Sequence, residues 1–255
     1  MNPIRFITCV TFAGLFFPSC QKEVIPFNPD IQYGTVSDIE NTVYKTVSIG
    51  EQVWMAENLK TTTYSDGTSI LNGEKSSEWS GQSGSYCWYD NKAGANRNRY
   101  GALYNWSAVN TGKLCPSGWH VPAVEEWKEL EQYLIISGYN FDGTTVENRL
   151  AKSLAAPVSW DSDTTSGAPG NDLLSNNSTG FSALPAGYRD PTHGWNEYNG
   201  MGSSCGWWTA TGSGGGFALH SALNKAYPLL LIDDIHQTVG LIWSYGFSVR
   251  CVRDE

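Results

Sequence analysis

Long apolar runs are scarce in this chain. After the first 20 residues, no segment of the 255 approaches the ~18 consecutive apolar residues that a membrane helix needs. Charge is sparse too: Asp, Glu, Lys and Arg make up 16% of the residues, below the usual ~25%. The balance is acidic, with a formal net charge of −9. An acidic surface repels phosphate backbones, so nucleic acid is not an expected partner. The four histidines, His120, His193, His220 and His236, sit in no metal-ligand spacing, and there is no CxxC, HExxH or GxSxG. No nucleophile with its base, carboxylate pair or metal centre is signalled, so the chain is not read as an enzyme. Tryptophan and glycine are abundant, at 11 and 27 residues. That composition at this length suits one large, aromatic-rich and loop-rich domain with a sizeable core.

The N-terminus, MNPIRFITCVTFAGLFFPSC, carries Arg5, an apolar run from Phe6 to Phe17, then Pro18, Ser19 and Cys20. The run is too short to span a bilayer stably. The pattern resembles a bacterial lipoprotein signal, in which the cysteine becomes the lipidated first residue; Phe17 stands where Leu is usual. The resemblance implies a signal peptide over 1–19, a lipidated tether over 20–37 and a domain over 38–255. It also implies a palmitate-type anchor on Cys20 and a place in the cell envelope on the outer membrane, with the face left open. Several acyl chains give stable anchoring.

Four cysteines remain beyond the signal: Cys87, Cys115, Cys205 and Cys251. An even number in an oxidising compartment suggests two bridges, and spacing alone does not choose among three pairings.

Hydrophobic periodicity predicts two strands over 42–55 around a turn at 49–52, and a strand over 86–90. NKAGANRNRYG, 91–101, reads as a loop and 101–110 as a helix. CPSGWHVPAVEEWKELEQYL, 115–134, opens the clearest helix. Val124, Trp127, Leu130 and Leu134 share one face, and Pro122 fits the first helical position. A shorter helix is predicted over 146–155, then a long polar loop over 156–180. Strands follow at 181–189, 206–211, 216–223, 228–232, 239–243 and 245–254. Helices early and strands late give an α+β class.

The blocks GEQVWMAENLK (50–60), YCWYDN (86–91), YGALYNWSAV (100–109), CPSGWHVPAVEEW (115–127), GFSALPAGYR (180–189), GWWTAT (206–211) and YGFSVRCVRD (245–254) together resemble the Fibrobacter succinogenes major paralogous domain. That extracytoplasmic bacterial domain is common on predicted lipoproteins of the Bacteroidetes–Fibrobacter group. GWHVPAVEEW and GFSVRCV also resemble landmarks of the formylglycine-generating-enzyme domain. The resemblance implies a C-type-lectin-like fold with two to three short helices, short and mostly antiparallel strands, and long loops. It favours a Cys115–Cys251 disulfide, leaving Cys87 with Cys205. It makes Trp119 and Trp127 core residues and His120 a structural hydrogen-bonder.

The expected role is non-catalytic recognition of an extracellular glycan or protein through loops. The alternatives are a structural subunit of a surface assembly and, more remotely, a formylglycine-generating-type enzyme. Aromatic rings suit flat sugar faces, so the ligand candidates are Trp195, Asn196, Tyr198 and Trp208. No cofactor is assigned. Calcium, which many C-type-lectin-like domains bind, has its candidates in the short polar groups Asp90 with Asn91 and Asp233 with Asp234.

Overall fold

The computed structural model describes residues 27–79, 83–193, 197–214, 217–232 and 241–254. Cys20, Trp195, Asn196, Asp233 and Asp234 lie outside them. The chain runs through β1 (Gly34–Ser37), β2 (Val43–Ile49), β3 (Gln52–Met55), β4 (Leu71–Asn72), β5 (Ser85–Cys87), α1 (Ala93–Tyr100), β6 (Leu103–Tyr104) and α2 (Trp106–Val109). Next come β7 (Trp119–His120), α3 (Val124–Ile136) and α4 (Ala151–Leu154). Then follow β8 (Ala186–Arg189), β9 (Tyr198–Met201), β10 (Ser204–Gly214), β11 (Phe217–Asn224), β12 (Leu231–Ile232), β13 (Leu241–Ile242) and β14 (Val252–Arg253).

Three sheets result: β1-β2-β3-β14-β7, β12-β11-β10-β8-β9 with β13 on β11, and β4-β5-β6. Only β8–β10 and β4–β5 pair in parallel among these strands. The class is therefore α+β with short helices and mostly antiparallel strands.

Strand β10 explains much of the packing. It is an inner strand of its sheet, and its neighbouring side chains point into two different cores. Trp207 enters the core beneath α3, stacking on Trp127 with ring centroids 5.6 Å apart. Trp208 enters the other, with Tyr104, Trp106 and Phe247.

Helix α3 forms where its periodicity predicts. Val124, Trp127, Leu130 and Leu134 are its buried residues, and Trp127 also meets Trp54 at 4.7 Å. The N-cap is Ala123, so the helix starts two residues later than Pro122 at the first helical position suggests. The Glu126 carboxylate accepts the Ala123 N–H at 2.8 Å and so satisfies one backbone donor at this end of the helix.

Several predicted elements differ. Residues 93–100 are a helix, although the sequence reads as loop; Asn96 is its one buried residue, so it has no apolar stripe to detect. The helices predicted over 101–110 and 146–155 shrink to α2 and α4. The strand predicted over 245–254 becomes isolated bridges at 246–248 followed by β14.

Residues 27–37, assigned above to the tether, belong to the folded body. Phe27, Ile31 and Tyr33 pack on the α3 core, Asn28 Nδ2 donates to the Asn177 carbonyl at 2.9 Å, and β1 pairs with β2. Burying these apolar side chains ties residues 27–37 to the domain.

Among the described residues one disulfide, Cys115–Cys251, closes 136 residues of chain. Cys87 and Cys205 are free, which corrects the expected second bridge. Cys87 is enclosed with Trp79 and Leu103, whereas Cys205 lies in the α3 core. Each thiol is sealed in its own apolar cluster, and burial pushes them up to about 11 and about 12 respectively, so both stay protonated.

Candidate functional site

The predicted ligand residues do not form one surface. Trp208 is fully buried, with its indole N–H donating to the Tyr104 carbonyl at 2.7 Å. This overturns its assignment as a ligand contact. Tyr198 is half-buried and acts as a strut. Its hydroxyl donates to Asn91 Oδ1 at 2.7 Å, and its ring lies 5.3 Å from that of Tyr89. Behind it the fully buried Arg189 guanidinium pairs with Glu197 at 2.6 Å and lies over the Trp79 ring at 4.4 Å. The calcium candidates have other partners: Asp90 accepts from Lys92 Nζ at 3.1 Å, and the Asn91 oxygen is taken by Tyr198. Among the described residues, no group of three or more His, Cys, Asp or Glu could hold a metal ion.

His120 lies where the two ends of the domain meet. Its Nδ1 is 2.6 Å from Asp254 Oδ1 and its Nε2 is 2.7 Å from Glu126 Oε1. Burial alone would push the imidazole down, but the two carboxylate hydrogen bonds and charges outweigh it and hold the group above its ordinary value. A raised histidine contributes stability that is whole below the unfolded value of ~6.5 and is lost as pH rises through the folded one. The stability difference between wild type and His120→Gln, measured by urea unfolding across pH, should therefore be largest in mild acid and shrink toward alkaline pH. A difference that grows with pH would refute the clasp.

The best-formed candidate surface is a belt of rings that sequence reasoning did not single out. Phe247 lies at its centre and is nearly buried. Around it stand three half-buried rings: Tyr188 at 5.7 Å and 28°, Tyr245 at 6.1 Å and 11°, and His220 at 5.0 Å and 19°. All lie close to parallel with Phe247, while Trp208 supports it edge-on at 5.0 Å. The arrangement depends on Gly206: a Cβ there would lie 2.5 Å from the Phe247 ring, so only glycine lets the ring settle on β10.

Polar groups edge the belt. Asp190 Oδ1 accepts the Thr192 N–H and hydroxyl at 2.9 and 2.6 Å, and Tyr245 hydrogen-bonds to this pair. Burial raises the Tyr188 and Tyr245 phenols and Asp190 raises them further, so both keep their hydroxyl proton at neutral pH. The surface offers partly exposed aromatic rings and tyrosine hydroxyls, while the buried Asp190 carboxylate anchors its edge from within. Its sequence signal is glycine beside an aromatic, in AGYR at 186–189 and YGF at 245–247. Those blocks otherwise read as structural strands.

Fold and site thus define an α+β domain pinned by the Cys115–Cys251 disulfide and carrying a partly exposed edge of stacked rings. The sequence matches the Fibrobacter succinogenes major domain over residues 47–253, and the chain belongs to that family. Comparison with curated proteins and with solved structures finds no match.

Proposed function

We propose that this protein is a non-catalytic cell-envelope lipoprotein that recognises an extracellular glycan through the Tyr188–Phe247–Tyr245–His220 belt. The observation that carries the reading is the near-parallel set of half-buried rings, Tyr188, Tyr245 and His220, seated on the buried Phe247 and edged by Thr192 and the tyrosine hydroxyls. Flat rings complement the C–H faces of a sugar, and polar edges complement its hydroxyls. The N-terminal pattern supports attachment through Cys20, with a C-type-lectin-like body displayed from the outer membrane. Among the described residues, no helix is long and apolar enough to cross a membrane. A binding role also agrees with the state of the cysteines: Cys251 is bridged, and Cys87 and Cys205 are buried in separate clusters.

A glycan array probed with soluble residues 21–255 tests the reading. Hits are expected, and Tyr188→Ala should weaken them about tenfold, the scale of one lost stacking contact. An array with no hits, or hits that Tyr188→Ala leaves at full strength, would sink it.

A further inference from the structure

A second cleft, of about 390 Å³, lies beyond the end of α3 and is lined by Tyr139, Phe141, Lys152, Ser153, Ser175 and Ser178 among others. Lys152 belongs to the four-residue α4, every residue of which is buried, and is itself only 8% exposed. Its ammonium donates to the carbonyls of Asn171 and Asp172. The Ser175 hydroxyl donates to the same Asp172 carbonyl at 3.0 Å, so amine and hydroxyl meet at one oxygen. Asp172 adopts a left-handed backbone, φ 46°, at this point in the loop.

Lys152 makes no direct ion pair among the described residues; its ammonium is hydrogen-bonded to backbone carbonyls, and the Asp172 charge acts on it only from a distance. Burying a charge without a direct ion-pair partner is costly, and burial lowers its pKa, an effect the Asp172 charge offsets only in part. An ammonium carries three donors, of which two are used. Arg250 is the useful contrast. It too is buried without a carboxylate partner, but Asn58, Phe181 and Ser182 take its donors inside the core. Lys152 instead lines a cleft that also presents serine hydroxyls.

We propose that this cleft binds a compact oxyanion, a carboxylate or sulfate group, with Lys152 as its counter-charge and Ser178 as hydroxyl donor. Phe141 and Tyr139, which line the cleft, supply apolar contact for the carbon skeleton that carries the anion. An acidic saccharide has this chemistry; that extension rests on the glycan reading, whereas the oxyanion site does not.

The test titrates the full chain with sodium sulfate, glucuronate and glucose at constant ionic strength. It follows the thermal midpoint and the backbone amide resonances of Ser175 and Ser178. Sulfate and glucuronate should raise the midpoint and shift both resonances, by linkage of binding to folding, while glucose should do neither. Lys152→Gln should weaken the response about tenfold or more. Because that variant also loses two structural hydrogen bonds, Ser178→Glu serves as the second: the position is exposed, and its carboxylate should occupy the cleft and abolish the response in a folded protein. An equal response to glucose, no response to either anion, or a wild-type response in both variants would overturn the site. An anion response that survives Tyr188→Ala at full strength would uphold it even if the array finds no glycan.

Discussion

A Cys115→Ser/Cys251→Ser double variant is expected to lose about 5 kcal/mol of stability, the loop-entropy scale for a bridge closing 136 residues. The position of the bridge supports so large an effect. Strand β14 is two residues long and lies between β3 and β7, with Val252 paired to both Trp54 and His120. So short a strand has few ladder bonds of its own, and the disulfide adds a covalent hold on it. The sulfurs are also enclosed, with Cys115 at 5% and Cys251 at 0% exposure, so two serines add buried hydroxyls to the lost link. Urea unfolding without reductant measures the difference. A loss below about 1 kcal/mol would mean that packing alone holds the final strand in place.

Arg250→Ala should cost about 3 kcal/mol or more. The guanidinium sits 4.2 Å over the Phe181 ring and donates to Asn58 Oδ1 at 3.0 Å, to the Ser182 carbonyl at 3.1 Å and to the Phe181 carbonyl. Asn58 Oδ1 also accepts the Trp207 indole N–H at 2.9 Å, so one network joins the segment after β3, β10 and the last segment. Burial pushes Arg250 down to about 9, which leaves it charged at neutral pH. Alanine removes the buried charge but strands these acceptors in a closed core and leaves a cavity under Phe181. Arg250→Lys keeps the charge, yet one compact ammonium cannot span acceptors that a planar fork reaches from several nitrogens, so it should also destabilise strongly. Unfolding of the two variants checks this; wild-type stability in Arg250→Lys would show that charge, and not the fork, is what the core requires.

How far the fold could be read from sequence depended on whether an element advertised itself through apolar periodicity. Helix α3 did, through Val124, Trp127, Leu130 and Leu134. Helix α1, AGANRNRY, has no apolar face, and its polar composition imitates a loop. The Trp207-Trp208 pair misled for a related reason. Alternation along a strand normally sends one of two neighbours outward, but β10 runs between two cores and both rings are covered. The Cys115–Cys251 link came from family resemblance, whereas the separate burial of Cys87 and Cys205 needed the three-dimensional clusters. The ring belt was the least legible part. Tyr188, His220, Tyr245 and Phe247 are spread over nearly sixty residues and meet only because the bridge pairs Arg189 with Gly246 and Trp207 with Ser248 bring the last segment beside β8 and β10.

Calorimetric titration of the strongest array hit into wild type and Tyr245→Ala, with thermal midpoints recorded alongside, tests the recognition surface most directly. Saturable binding by wild type, at least about tenfold weaker in Tyr245→Ala at a nearly unchanged midpoint, is the result predicted. Equal affinity in the two proteins would contradict it and place the sugar elsewhere on the molecule.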